Sequence, residues 1–225
     1  LAVCKERLAQ VPLASAHVMQ FSTSMEDVPQ HIDLALVVTP AHCRASVVAE
    51  LASRHHVKAW ILEKVLAQNC NQLDQIEQSL VGNSQVWVNT PRRLMGWHQE
   101  IRSQLLPAGP ATLRVRVIGG SWGLACNAIH FIDLVAWWTK TSVQSVNPAG
   151  LDDWVQSKRA GFHEVFGSLG VTYTDGSELE LYCHSGAEPN QITVVTPQGQ
   201  CVIEESAGSV SVPDGQQFYG KLIFQ

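Results

Sequence analysis

Hydrophobic positions in the first ninety residues form short continuous runs, separated by stretches of helical period. Leu1-Ala2-Val3-Cys4 is one such run and residues 16–21 a second. Residues 33–38 form a third, ending at Thr39-Pro40. Unbroken rather than alternating apolarity suits a parallel strand covered on both faces. Val47, Val48 and Leu51 then recur at helical spacing within residues 44–54. A strand is predicted over 58–62, a helix over 69–80 with Leu73, Ile76 and Leu80 on one side, and a strand over 85–89. Strand starts recur about every 25 residues, the repeat of strand–helix–strand units joined by short loops.

The pattern changes after Arg93. Residues 97–105 read as a helix. Residues 112–118 alternate Leu113, Val115 and Val117 with Thr112, Arg114 and Arg116, as a half-buried strand does. Residues 125–138 form a strongly apolar helix, and beyond Ser142 strand and turn dominate. Thr174-Asp175-Gly176 joins predicted strands at 164–173 and 177–184, and Pro197-Gln198-Gly199 joins those at 192–196 and 201–205. The fold class that follows is α/β over residues 1–95, a Rossmann-like nucleotide-binding domain incomplete at its N-terminus. Residues 96–225 read as an α+β domain with an open, mostly antiparallel sheet.

Composition narrows the function classes. The 225 residues are 45% hydrophobic and include seven tryptophans, enough for buried cores. Charged residues make up 16%, with a net charge of −5, so electrostatics give no reason to expect nucleic acid or an anionic membrane as partner. No apolar run approaches the ~20 residues of a spanning helix. The six cysteines lack CxxC spacing, which argues against a zinc knuckle or redox dithiol and for reduced thiols in a cytoplasmic setting. His55-His56 and the pair His163 and His184 lack metal-ligand spacing, and no metal is expected.

Candidate chemistry gathers at strand ends and on the apolar helix. Thr39-Pro40 and Glu63-Lys64 each follow a predicted buried strand, where open α/β sheets bind ligands. A lysine there can stabilise developing negative charge on a hydroxyl or carbonyl oxygen. On the helix, Asn127, His130 and Asp133 are spaced three apart and share a face. His130 is a candidate proton-transfer group. The Gly119-Gly120-Ser121-Trp122-Gly123 loop precedes it, making Trp122 and Asn127 candidate substrate contacts. No GxGxxG phosphate-binding fingerprint occurs in the chain.

In order and spacing these pieces resemble the Gfo/Idh/MocA family of NAD(P)-dependent oxidoreductases. The resemblance runs through Thr39-Pro40, Glu63-Lys64, Val88-Asn89 with Arg92-Arg93, the Gly-Trp loop, and His130-Phe131-Ile132-Asp133. A softer likeness to members acting on sugars or sugar-derived acids lies in residues 157–162. The resemblance implies hydride transfer between nicotinamide and a sugar, polyol or hydroxy-acid. It assigns Lys64 and His130 as the catalytic pair, and Thr39, Pro40, Glu63 and Asn89 to the nicotinamide and its ribose. It also implies a glycine-rich segment before Leu1, further elements after Gln225, and a homodimer or homotetramer through the C-terminal sheet. Cys4 and Lys5 fall after what reads as the second strand of the fold, where bases favour NADP and acids NAD. Lys5, Glu6 and Arg7 tilt the expectation towards NADP. Val65 stands where the family motif has proline, and Cys126 where many members have aspartate. Those two replacements leave a second reading, a non-catalytic nucleotide-sensing regulator or partner-binding subunit on the same fold.

Overall fold

A computed structural model describes residues 2–11, 19–82, 85–105, 112–196, 199–212 and 217–219. The chain divides into two compact units, Leu1–Asn89 and Thr90–Gln225.

The first unit begins with helix α1 (Ala2–Leu8), which buries none of its residues. A strand was expected at residues 1–4. Lys5-Glu6-Arg7-Leu8 continues that run without a turn residue, and these straight-chain side chains favour helix. Most of the strand expected at 16–21 lies outside the described residues, and residues 19–21 are not in a strand. After a 3-10 turn at Met25–Asp27 come β1 (His31–Val37), α2 (Ala41–Arg54), β2 (His56–Leu62), α3 (Cys70–Ser79) and β3 (Val86–Val88). The strands form a parallel sheet in the order β1-β2-β3. Asn69 caps α3, its side-chain oxygen accepting the Gln72 N–H at 3.0 Å.

Strand order advances in one direction, so right-handed crossovers place α2 and α3 on the same face. There Val48, Leu51 and Ile76 pack on Ala35, Val37, Trp60 and Leu62. The opposite face differs from the sequence expectation. Leu34, Leu36 and Val38 are 48%, 60% and 73% exposed. Their apolarity reflects a face that neither helix covers, rather than burial on both sides.

The second unit opens with a 3-10 turn (Pro91–Leu94) and α4 (Gly96–Leu105), then β4 (Arg114–Gly120), α5 (Leu124–Thr139) and β5 (Val143–Leu151). There follow a short hairpin, β6 (Val155–Gln156) with β7 (His163–Glu164), and β8 (Gly167–Tyr173), β9 (Glu178–His184), β10 (Gln191–Thr196), β11 (Gly199–Glu204), β12 (Ser209–Ser211) and β13 (Gln217–Tyr219). Eight strands form one sheet in the order β13-β12-β11-β10-β4-β9-β8-β5, antiparallel except for β4 with β9.

Alternation along β4 and β9 sorts the two faces. Val115, Val117, Leu179 and Leu181 point into a core with Phe131, Leu134 and Trp138 of α5. Arg114 and Arg116 point outward and pair across the ladder with Glu178 (3.6 Å) and Glu180 (2.9 Å). The single strand expected at 164–173 is broken into β7 and β8. Gly167 adopts φ +97°, and a Cβ there would lie 2.3 Å from the Gly150 carbonyl oxygen, so the chain turns at the one residue that fits. The Asp175-Gly176 turn forms as expected, with Gly176 at φ +83° donating its N–H to the Tyr173 carbonyl.

Leu181 is fully buried at the centre of this core. Leu181→Ala is expected to cost about 2–5 kcal/mol through lost packing and a residual cavity. Urea unfolding should show a lower midpoint with an unchanged slope.

Candidate functional site

In the first unit the site follows from register. Val37 lies level with Leu62, and Leu62 with Val88, so the three strands finish together. Thr39-Pro40, Glu63-Lys64 and Asn89 therefore emerge side by side at the carboxyl edge, the ligand-binding edge of such sheets. The Asn89 N–H extends the ladder to the Leu62 carbonyl (2.8 Å), and the Glu63 N–H to that of Val37 (3.0 Å). Glu63 ties the edge together. Its Oε1 accepts the Lys64 N–H at 2.9 Å, and its Oε2 accepts from Asn89 Nδ2 at 2.9 Å. The Lys64–Val65 peptide is cis.

Beneath this edge sits Arg44, which sequence reasoning treated only as the start of a helix. Its side chain is 1% exposed. Its guanidinium donates to three main-chain carbonyls: Thr39 from one turn, and Val65 and Leu66 (3.0 Å) from the other. Burial pulls its pKa below the ordinary range, and the negative charge of Glu63 opposes that shift. A guanidinium still remains cationic at neutral pH.

The Thr39 hydroxyl oxygen is buried and has no hydrogen-bond partner among the described residues, which leaves it for an incoming polar group. The described residues supply no strand, glycine turn and helix ahead of β1 to hold a pyrophosphate. Cys4 and Lys5, expected beside the cofactor's ribose, instead lie on α1. Cys4 is exposed, and the Lys5 ammonium sits 5.8 Å from the centre of the Phe21 ring. The strand end on which their assignment depended is absent there.

In the second unit the candidates collect on the first turns of α5. Gly123 precedes the helix at φ +79° and offers no side-chain cap. The missing cap comes from Glu164 on β7, whose Oε1 accepts the Ala125 N–H at 2.8 Å and adds negative charge at the helix's positive end. Asn127 Nδ2 donates to the Trp122 carbonyl (2.6 Å), and Trp122 Nε1 to that of Tyr182 (3.1 Å). The Trp122 ring meets Phe131 edge-on at 5.4 Å. Trp122, Asn127 and Phe131 thus form one packed set beside His130, which is 8% exposed. Cys126 points outward.

Two consecutive arginines strap the Pro91–Leu94 turn to this helix. Arg93 makes a two-pronged pair with Asp133. Arg92 lays its guanidinium 4.1 Å from the centre of the Phe131 ring and pairs with both oxygens of Glu205, at 2.9 and 2.7 Å. The fully buried His98 adds Nε2 to Glu205 at 3.1 Å, while its backbone carbonyl accepts from Trp138 Nε1 at 3.2 Å. His98 Nδ1 is buried with no partner among the described residues. The neutral ring with its proton on Nε2 satisfies that arrangement, and burial lowers the His98 pKa. For Glu205, burial favours the neutral acid, but the hydrogen bonds from His98 and Arg92 and the Arg92 charge prevail and hold it at about 2. No sequence signal pointed to Glu205 or His98, since the partners lie more than a hundred positions apart. Among the described residues, no three His, Cys, Asp or Glu side chains cluster to hold a metal, and no helix is long and apolar enough to cross a membrane.

No protein-family model and no curated protein matches the chain. Solved structures do match. A protein of Erwinia carotovora atroseptica assigned as an oxidoreductase superposes with a TM-score of 0.69 at 15% identity, over 96% of this chain and 74% of its own. A dehydrogenase from Clostridium difficile gives 0.65 at 13%, over 100% and 73%. Biliverdin reductase from Synechocystis, solved with biliverdin and NADP+, gives 0.63 at 17%, over 84% and 66%. The fold is shared: a Rossmann-type parallel sheet with helices, followed by a large, mostly antiparallel α+β sheet.

Glu205 and His98 give the second unit a defined acid response. His98 has a lowered native pKa, so below about pH 6.5 the unfolded chain takes the proton first and stability starts to fall. Glu205 has a depressed native pKa, so its contribution is complete above about pH 4.3 and is lost as pH falls towards 2. Glu205→Gln should remove the lower limb from a stability–pH profile measured by urea unfolding. It should also cost about 3 kcal/mol at pH 7, because Arg92 keeps its burial without its counter-charge.

Proposed function

We propose that the protein is a nicotinamide-dependent oxidoreductase of the Gfo/Idh/MocA kind, acting on a hydroxyl-bearing carbon of a carbohydrate-like molecule. The observation that carries this reading is the level ending of β1, β2 and β3, which sets Thr39, Pro40, Glu63, Lys64 and Asn89 along one carboxyl edge. The fold's likeness to named dehydrogenases and reductases supports it, among them a UDP-N-acetylglucosamine 3-dehydrogenase from Acidithiobacillus ferrooxidans (TM-score 0.62, 15% identity, 86% of this chain and 66% of that one).

In this reading Thr39, Pro40, Glu63 and Asn89 hold the nicotinamide and its ribose. The dinucleotide, when bound, supplies the hydride acceptor or donor. Lys64 contacts the substrate hydroxyl and favours loss of its proton, and His130 receives that proton. Trp122 and Asn127 shape the substrate's surroundings. NAD and NADP both fall within the proposal, since the residues that tilted it to NADP lie on an exposed helix. The outward sheet face, where Val195 and Tyr182 are exposed on the side that carries Arg114 and Arg116, supports self-association into a dimer or tetramer.

A regulator that senses nucleotide without turnover is the second reading, favoured by Cys126 pointing outward where an aspartate would support the histidine. Turnover by the full-length protein with NADH, NADPH and their oxidised forms, across sugars, polyols and hydroxy-acids, separates the two. Lys64→Ala and His130→Ala are each expected to lower kcat/KM by about 10²–10⁴. Unchanged kcat/KM in both variants overturns the assignment, and tight dinucleotide binding without turnover favours the regulator.

A further inference from the structure

We propose that Arg44 is a positioning residue for Lys64, clamping the two turns of the carboxyl edge together from below. The guanidinium is buried, and its donors go to main-chain carbonyls on both turns: Thr39 after β1, and Val65 and Leu66 after β2. The acceptors on both turns are main-chain carbonyls, and one forked donor joins them. Lys64 immediately precedes two of the acceptors, Val65 and Leu66. Its own N–H is fixed by Glu63, the carboxylate whose charge acts on Arg44. Arg44 and Glu63 therefore hold the Lys64 backbone from its two sides.

The chemistry requires arginine. A planar fork with five donors can serve carbonyls on two separate turns at once. A lysine ammonium carries its three donors on one nitrogen, whereas Arg44 reaches one turn with each of its two terminal nitrogens. Arg44 arises from the first turns of α2, whose Val48 and Leu51 are anchored in the core. The clamp is thereby referred to the rigid part of the unit, as a well-supported functional group requires.

The functional consequence rests on the reading of Lys64 as the group that meets the substrate hydroxyl; the clamp itself does not. Hydrogen exchange on the full chain tests the clamp without any ligand. In Arg44→Lys, which keeps the bulk and the charge, exchange should speed up at the Lys64 and Cys43 amides and stay unchanged at Trp60 and Val48. Arg44→Ala should behave likewise, and millimolar guanidinium should restore protection where tetramethylammonium at equal ionic strength does not. Unchanged exchange at Lys64 in both variants overturns the clamp. A rise at Trp60 and Val48 as large as at Lys64 also overturns it, by marking Arg44 as a prop for the whole unit. In turnover, Arg44→Lys should lower kcat by about 10²-fold through misplacement of Lys64, with KM little changed. Wild-type protein that turns over no hydroxyl substrate defeats the proposed function, while the exchange experiment still decides the clamp.

Discussion

The parallel register of β1, β2 and β3 sets Val37 level with Leu62, and Leu62 level with Val88. A slip of one residue in any strand would turn its core face to solvent and carry its terminal loop out of line. The register is held by one-sided packing, with Trp60 and Leu62 buried under α2 and α3. It converts three separate loops into a single edge. Glu63 links two of those loops by accepting from Asn89, and Arg44 links two by donating to carbonyls on both. The site's polar residues are thus second in order of cause. Apolar packing aligns the strand ends, and buried hydrogen bonds then fix the turns.

The second unit solves a different problem. Its long helix α5 begins at a glycine without a cap and carries a histidine in an otherwise apolar face. Three charged contacts compensate. Glu164 caps the first turn, Arg93 pairs with Asp133 one turn beyond His130, and Arg92 covers the Phe131 ring while bound to Glu205. Such contacts add little net stability, although the largely buried Arg92–Glu205 pair is costly to break. Here they specify where one helix lies, and so where His130, Asn127 and the Trp122 loop are presented.

Most of the fold was legible in sequence because its signals are local. The runs ending at Thr39, Glu63 and Asn89, the helix carrying His130, and the Asp175-Gly176 turn follow from period and turn chemistry. What sequence concealed is non-local. Nothing near Arg44 shows that two of its acceptors are backbone carbonyls 21 and 22 residues onward. Nothing near His98 announces Glu205. Two misreadings have local causes. Four apolar residues at the start mimicked a strand, but the charged residues that follow extend a helix. Leu34, Leu36 and Val38 read as doubly buried, because sequence reports apolarity and not which layer covers it.

In the proposed function, the edge formed by Thr39-Pro40, Glu63-Lys64 and Asn89 receives a nicotinamide ring. A crystal structure of the full-length protein grown with NADPH tests this directly. The ring is expected at the carboxyl ends of β1, β2 and β3, with a polar atom of the ligand within hydrogen-bond distance of the Thr39 hydroxyl. A dinucleotide bound elsewhere, with this edge empty, would contradict it.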